Sequence, residues 1–128
     1  FGAIQYQGEG TFIAGGAGVT PFIAILRDLR AKHAIGDNRV IFANKTRKDI
    51  ILHEELREML GDQLVNILSK EKTADYPCGQ VSAEFINQHC GSLDKYFYVC
   101  APPPMMEAVQ KHLAALNVAE DRIVMEAF

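Results

Sequence analysis

Five short apolar runs alternate with segments of helical period along the chain, and this alternation restricts the fold more than any other feature. The runs are Thr11–Ala14, Arg39–Ala43, Leu64–Leu68, Tyr96–Cys100 and Arg122–Met125. Between the first two, Phe22, Ile25, Leu26 and Leu29 fall at i, i+3, i+4 and i+7, one face of a helix. Leu56, Met59 and Leu60 mark a second helix from about His53 to Leu60, which Gly61 is expected to stop. Ser82 is placed to cap a short helix holding Phe85 and Ile86. Met106, Val109, Leu113 and Leu116 share a face of a helix from about Met105 to Leu116. Strands that alternate with helices and are apolar throughout imply an α/β fold with a parallel sheet covered on both faces. Right-handed crossovers then predict a doubly wound five-stranded sheet of order 3-2-1-4-5, with helices on both faces.

Such a sheet reverses direction between its first and fourth strands, and ligands bind at that point, beyond the carboxyl ends of the strands. The reversal predicts that two turns distant in sequence, Gly15–Pro21 and Ala101–Pro104, face one crevice. In the first turn, Gly15-Gly16-Ala17-Gly18-Val19-Thr20-Pro21, glycines allow a tight bend and close approach of a ligand. The following helix starts with free N–H groups and partial positive charge, an anion site suited to a pyrophosphate. Thr20 is expected to cap that helix and Pro21 to fit its first turn, with Gly36 marking the exit. The turn is not the G-x-G-x-x-G fingerprint. Pro21 stands at the third glycine position, and Asn44 and Lys45 stand where an acid would hold the adenosine ribose. Alone, the turn reads equally well as a glycine-rich connection feeding a helix.

Other functions are disfavoured. A net charge of −3 lacks the basic excess of a nucleic-acid-binding face. No apolar run approaches the roughly 20 residues that span a bilayer. Cys78, Cys90 and Cys100 show no metal-ligand spacing, and free thiols suit a reducing, cytoplasmic setting. His33, His53, His89 and His112 have no partners at ligand spacing and read as surface or helix-end residues, so no metal site is expected.

Four segments together resemble the ferredoxin–NADP reductase superfamily. They are Gly15–Pro21, the loop Phe42–Leu52 (similar to that of NADH–cytochrome reductases), Cys100-Ala101-Pro102-Pro103-Pro104-Met105, and the end Glu126-Ala127-Phe128. The resemblance implies the NAD(P)H-binding domain of an FAD-dependent oxidoreductase. Hydride would pass from NAD(P)H to FAD, and electrons onward to a ferredoxin, flavodoxin, haem or similar acceptor. Residues 1–10 are then expected to connect from an N-terminal FAD-binding barrel in cis, and residues 11–128 to bind the nucleotide. Gly15 through Thr20 would hold the pyrophosphate. Asn44, Thr46, Arg47 and Asp49 would frame the adenosine end, with Lys45 and Lys48 nearby and Asp49 disfavouring the extra phosphate of NADPH. Cys100, Ala101, Pro102 and Met105 would line the nicotinamide side. Cys100 and Glu126 would serve the reacting ring, and Phe128 would cover the flavin. The family has glycine where Ala101 stands, and the added methyl is expected to narrow the approach of the ring. The alternative is a nucleotide-binding regulatory module without hydride transfer.

Overall fold

The computed structural model describes residues 4–126 of the 128-residue chain. Its strands are β1 (Gly10–Gly15), β2 (Arg39–Asn44), β3 (Leu64–Leu68), β4 (Tyr96–Cys100) and β5 (Ile123–Met125). Its α-helices are α1 (Thr20–Ala31), α2 (His53–Leu60), α3 (Ala83–His89) and α4 (Pro103–Ala115). The strands pair in parallel in the order β3-β2-β1-β4-β5, the order expected from the alternating pattern. From β1 the chain winds outward through β2 to β3, then returns across the sheet to β4 and outward to β5. With one crossover hand, that reversal puts α1 and α2 on one face of the sheet and α3 and α4 on the other.

Side chains of the central strands divide accordingly. Phe12, Phe42 and Tyr98 point to one face, where they pack with Phe22 and Leu26 of α1 and Leu56 and Met59 of α2. Ile13, Ile41, Phe97 and Val99 point to the other, against Ile86 of α3 and Val109 and Leu113 of α4. Two-sided burial explains why these strands are apolar runs rather than alternating ones. On the first face, Phe12 stacks on Tyr98 with ring centroids 4.4 Å apart and meets Phe22 edge-on at 5.1 Å.

Local details differ from the sequence reading in three places. Thr20 does not cap α1. A 3₁₀ turn over Gly16–Val19 comes first, Val19 takes the cap position without a side-chain bond, and Thr20 is already helical. Gly16, at φ +53°, lets the chain bend sharply enough to start that turn. The exit of α1 is set by His33, which takes the left-handed conformation at φ +55°, and not by Gly36. The N–H of Ala34 donates to Leu29 O at 2.7 Å and that of His33 to Arg30 O at 3.0 Å, closing the helix end. Finally, α4 begins at Pro103 rather than Met105, because proline suits a first turn whose N–H groups have no partner. Ser82 does cap α3, accepting from the N–H of Phe85 at 3.1 Å.

Candidate functional site

The site is built where β1 ends between β2 and β4. Ala14 lies beside Cys100, and Gly15 beside Ala43. From there the backbone passes so close to the β4–α4 turn that only glycines fit. A Cβ on Gly18 would overlap the carbonyl of Cys100. A Cβ on Gly15 would stand 2.7 Å from Met105 Sδ and 3.1 Å from Ala101 Cβ. The two turns therefore do meet at the point where the sheet reverses. Gly16 differs from both, because nothing lies within 4 Å of where its side chain would be, so its backbone is open to a ligand.

Beside this junction lies a cavity of about 600 Å³, within the range of roughly 300–1,000 Å³ common for small-molecule and cofactor sites. Gly15 and Gly16 line it, with Asn44, Lys45 and Asp49 after β2. Pro102 and, from α4, Pro104, Met105, Ala108 and Val109 line it on the other side. Its walls differ in polarity for a physical reason. On the β1 side, glycine backbone leads through the 3₁₀ turn into the positive end of the twelve-residue α1. On the α4 side, Pro102, Pro103 and Pro104 have no N–H. Those of Met105 and Met106 both donate to Pro102 O at 3.0 Å. The β1 side of the cavity is thus glycine backbone leading toward the start of α1, no residue of which lines it, and the α4 side is apolar.

Of the sequence-derived candidates, Gly15, Gly16, Asn44, Asp49, Pro102 and Met105 line this cavity. Gly18, Val19, Cys100 and Ala101 are buried behind it, and Ala17 and Thr20 are exposed. Ala101 is fully buried and does not line the cavity. Cys100 is 2% exposed. Burial, and secondarily the charge of Glu126, pushes its thiol pKa up, so it is a protonated thiol at neutral pH. Glu126 is held beside it by an N–H bond to Val99 O at 3.1 Å. Phe128 lies outside the described residues.

Thr46 and Arg47 lie outside the lining and are engaged elsewhere. The N–H and hydroxyl of Thr46 donate to Asp49 Oδ2 at 3.0 and 2.9 Å. Arg47 Nη2 donates to Asp75 Oδ2 at 2.6 Å. Asn44 is 8% exposed, and its Oδ1 and Nδ2 are buried without a partner among the described residues. Sequence reasoning missed Ser69, Gly79, Gln80 and Val81, which line the cavity beyond β3. The one available signal was position, since the end of β3 lies on the same edge of the sheet as those of β1 and β2.

Comparison with known proteins identifies the family. The family model described as the oxidoreductase NAD-binding domain matches residues 12–111. The chain belongs to that family. Its region is 34% identical over 111 residues to the NADH nitrate reductase of Volvox carteri, covering 76% of this chain and 12% of that protein. It is 30% identical over 136 residues to NADH-cytochrome b5 reductase 1 of Rattus norvegicus, covering 83% of this chain and 44% of that protein. The FAD/NAD-binding domain of the nitric oxide dioxygenase from Vibrio cholerae superposes with a TM-score of 0.86. The two are 25% identical, over 98% of this chain and 54% of that one. This oxidoreductase NAD-binding domain thus spans about half or less of the length of these relatives, and it lies within the ferredoxin–NADP reductase-like superfamily. Among its described residues, no helix is long and apolar enough to cross a membrane.

Proposed function

We propose that this chain is the nucleotide-binding part of an FAD-dependent NAD(P)H oxidoreductase, with NADH the preferred donor. The observation that carries the reading is the cavity at the sheet reversal, lined on one side by the glycine turn that leads into α1 and on the other by the apolar start of α4. An extended dinucleotide needs both, one for its pyrophosphate and one for its rings. Gly15 through Thr20, with Pro21 behind them, bind the pyrophosphate. Asn44, Thr46, Arg47 and Asp49 frame the adenosine end. Cys100, Ala101, Pro102 and Met105 shape the nicotinamide end.

Bound nicotinamide and flavin supply the hydride chemistry, and the protein supplies position and local charge. Cys100 presents a neutral thiol, because burial and Glu126 hold its proton on sulfur. It orients the ring without forming a covalent bond to it. Glu126, next to Cys100, supplies a carboxylate at the reacting end. The resemblance gives Phe128, which lies outside the described residues, the role of covering the flavin. FAD is held by an N-terminal domain in cis, with residues 1–10 as the connection, and electrons pass to a ferredoxin, flavodoxin, haem or similar acceptor. The names of the relatives, an NADH nitrate reductase and an NADH-cytochrome b5 reductase, support this division and the choice of NADH. The three free thiols suit a reducing, cytoplasmic setting.

The alternative, a regulatory module that binds nucleotide without hydride transfer, drew its residue-level support from Ala101. Ala101 is buried and does not line the cavity, which speaks against that support. The test is anaerobic mixing of the full-length flavoprotein with NADH while flavin absorbance is followed. Bleaching is expected, and Cys100→Ala should slow it about tenfold or more while nucleotide affinity changes little. If neither NADH nor NADPH bleaches the flavin, the oxidoreductase reading fails.

A further inference from the structure

The loop between β2 and α2 contains one guanidinium, Arg47, and the fold surrounds it with acceptors. Asp75 takes its Nη2 at 2.6 Å, and Glu71 Oε1 takes its backbone N–H at 2.7 Å. The Tyr76 ring lies under it, 5.4 Å from Cζ to centroid. That ring is fixed in turn, since its hydroxyl meets His53 Nε2 of α2 at 2.9 Å.

Glu71, Asp75 and Tyr76 all come from the segment after β3, and that segment is itself tied down. Leu68 N–H donates to Pro77 O at 3.0 Å, and Gly79 N–H to Leu68 O at 2.8 Å. The N–H groups of Asp75 and Tyr76 both reach Thr73 Oγ1, at 3.2 and 3.0 Å. The arrangement sits on the rim of the cavity, because Lys45 and Asp49 on one side and Ser69 on the other are lining residues.

A guanidinium offers a planar fork that matches a phosphate with two parallel bonds, which a lysine ammonium cannot do. The 2′-phosphate is what separates NADPH from NADH. We infer that Asp75 and Glu71, by occupying Arg47, set the choice of NADH over NADPH. To use the fork, a 2′-phosphate must displace Asp75 and then lie beside two carboxylates, so attraction gained at Arg47 is offset by repulsion. The Arg47–Asp75 pair is open to solvent, with side chains 49% and 66% exposed. As a contribution to stability it is therefore small, and its effect falls on an incoming charged ligand. Lys45, Lys48, Lys70 and Lys72 form no ion pair among the described residues. As flexible point charges they lack the planar fork that pairs with a 2′-phosphate, so the fork at Arg47 adds its own discrimination beside that of Asp49.

This inference rests on the cavity being the nucleotide site. The test measures kcat/KM for NADH and NADPH with the full-length flavoprotein and a dye acceptor. The proteins compared are the wild type, Asp75→Asn, Glu71→Gln with Asp75→Asn, and that pair combined with Arg47→Ala. Freeing one charged fork should raise the NADPH-to-NADH ratio about tenfold in the double variant. The gain should shrink with added salt and vanish in the triple variant. A ratio unchanged within about twofold in a double variant that still oxidises NADH overturns the inference, as does a gain that survives loss of Arg47. A wild type inactive with both nucleotides would instead overturn the function proposed above, so the two failures are separable.

Discussion

The backbone of Gly18 lies against the carbonyl of Cys100, so closely that a Cβ on Gly18 would stand 2.7 Å from the carbonyl carbon and 3.0 Å from Ala101 N. The obstacle is backbone at the end of a central strand, which cannot swing aside as a side chain can. Gly18→Ala is therefore expected to separate the two turns at a cost of about 1–3 kcal/mol of overpacking, and to weaken nucleotide binding with it. Gly16→Ala is a useful contrast. There the added methyl meets nothing within 4 Å, and the cost is the left-handed backbone at φ +53°, roughly 1–2 kcal/mol. Urea unfolding and nucleotide titration of both variants check this. Equal binding by Gly18→Ala and wild type would contradict the packing argument.

A second prediction concerns the segment before β1. Tyr98 is fully buried, and its hydroxyl accepts from the N–H groups of Gln7 and Gly8, both at 2.9 Å, while donating to Gly8 O at 2.6 Å. One phenol thus satisfies three backbone groups. Tyr98→Phe keeps the ring stack on Phe12 and strips those partners, which should cost about 1–3 kcal/mol. Hydrogen exchange should speed up at Gln7 and Gly8 before it does in β4. Unchanged protection at those two amides would show that the hydroxyl does not anchor the segment.

The order of the strands was legible because two-sided burial leaves continuous apolar runs, and the 3.6-residue spacing of Leu26 and Leu29 or Val109 and Leu113 leaves helices. Gly15 and Gly18 could be picked out as a turn, but not that each faces a particular partner across the reversal. Those contacts depend on how closely β1 and β4 approach in space. The identity of the residue at a helix exit was illegible for a similar reason. His33 and Asn117 occupy left-handed positions at φ +55° and +61° because the backbone bonds that close α1 and α4 offset a modest strain there, and no glycine announces them. The wall formed by Gly79 through Val81 was hidden within a polar stretch whose path is set by pairing of Cys78 with Leu68. Arg47 could be read as part of the adenosine end from its place in the loop. Only the fold shows that Asp75, 28 residues later, already holds it.

The three thiols should differ in reactivity. Cys78 is exposed, while Cys90 and Cys100 are buried, and burial pushes the pKa of both buried thiols upward. Since the thiolate is the reactive form, iodoacetamide at neutral pH should label Cys78 well before the other two. Peptide mass spectrometry over a time course reads the order directly. Early labelling of Cys100 would mean that its thiol is neither buried nor protonated as described.

The last prediction is a pH dependence with its origin at the far end of the sheet from the cavity. Lys95 Nζ bridges Glu9 Oε1 at 2.5 Å and Asp37 Oδ2 at 3.2 Å, and Arg39 Nη2 meets Asp37 Oδ1 at 3.1 Å. The bond from Lys95, and then that from the N–H of Asp37, lowers the pKa of Glu9. The bonds from Arg39 and Lys95 lower that of Asp37. A carboxylate whose folded pKa lies below its unfolded one stabilises the fold above the unfolded value, and that contribution is lost as pH falls through the folded value. With ordinary values of 4.5 for Glu9 and 3.8 for Asp37, the contribution is complete at neutral pH and starts to fade as the pH drops toward the mid-fours. Lys95 behaves oppositely. Its pKa is raised above 10.5 by Glu9 first and Asp37 second, so its share holds below that pH and is lost above it. Glu9→Gln should therefore lower stability at pH 7 and flatten the acid limb of the stability curve between pH 5 and 3 by the share of Glu9, while the share of Asp37, still paired with Arg39 and Lys95, remains. Urea midpoints measured across that range decide it, and an acid limb as steep in Glu9→Gln as in the wild type would assign the acid sensitivity to other groups.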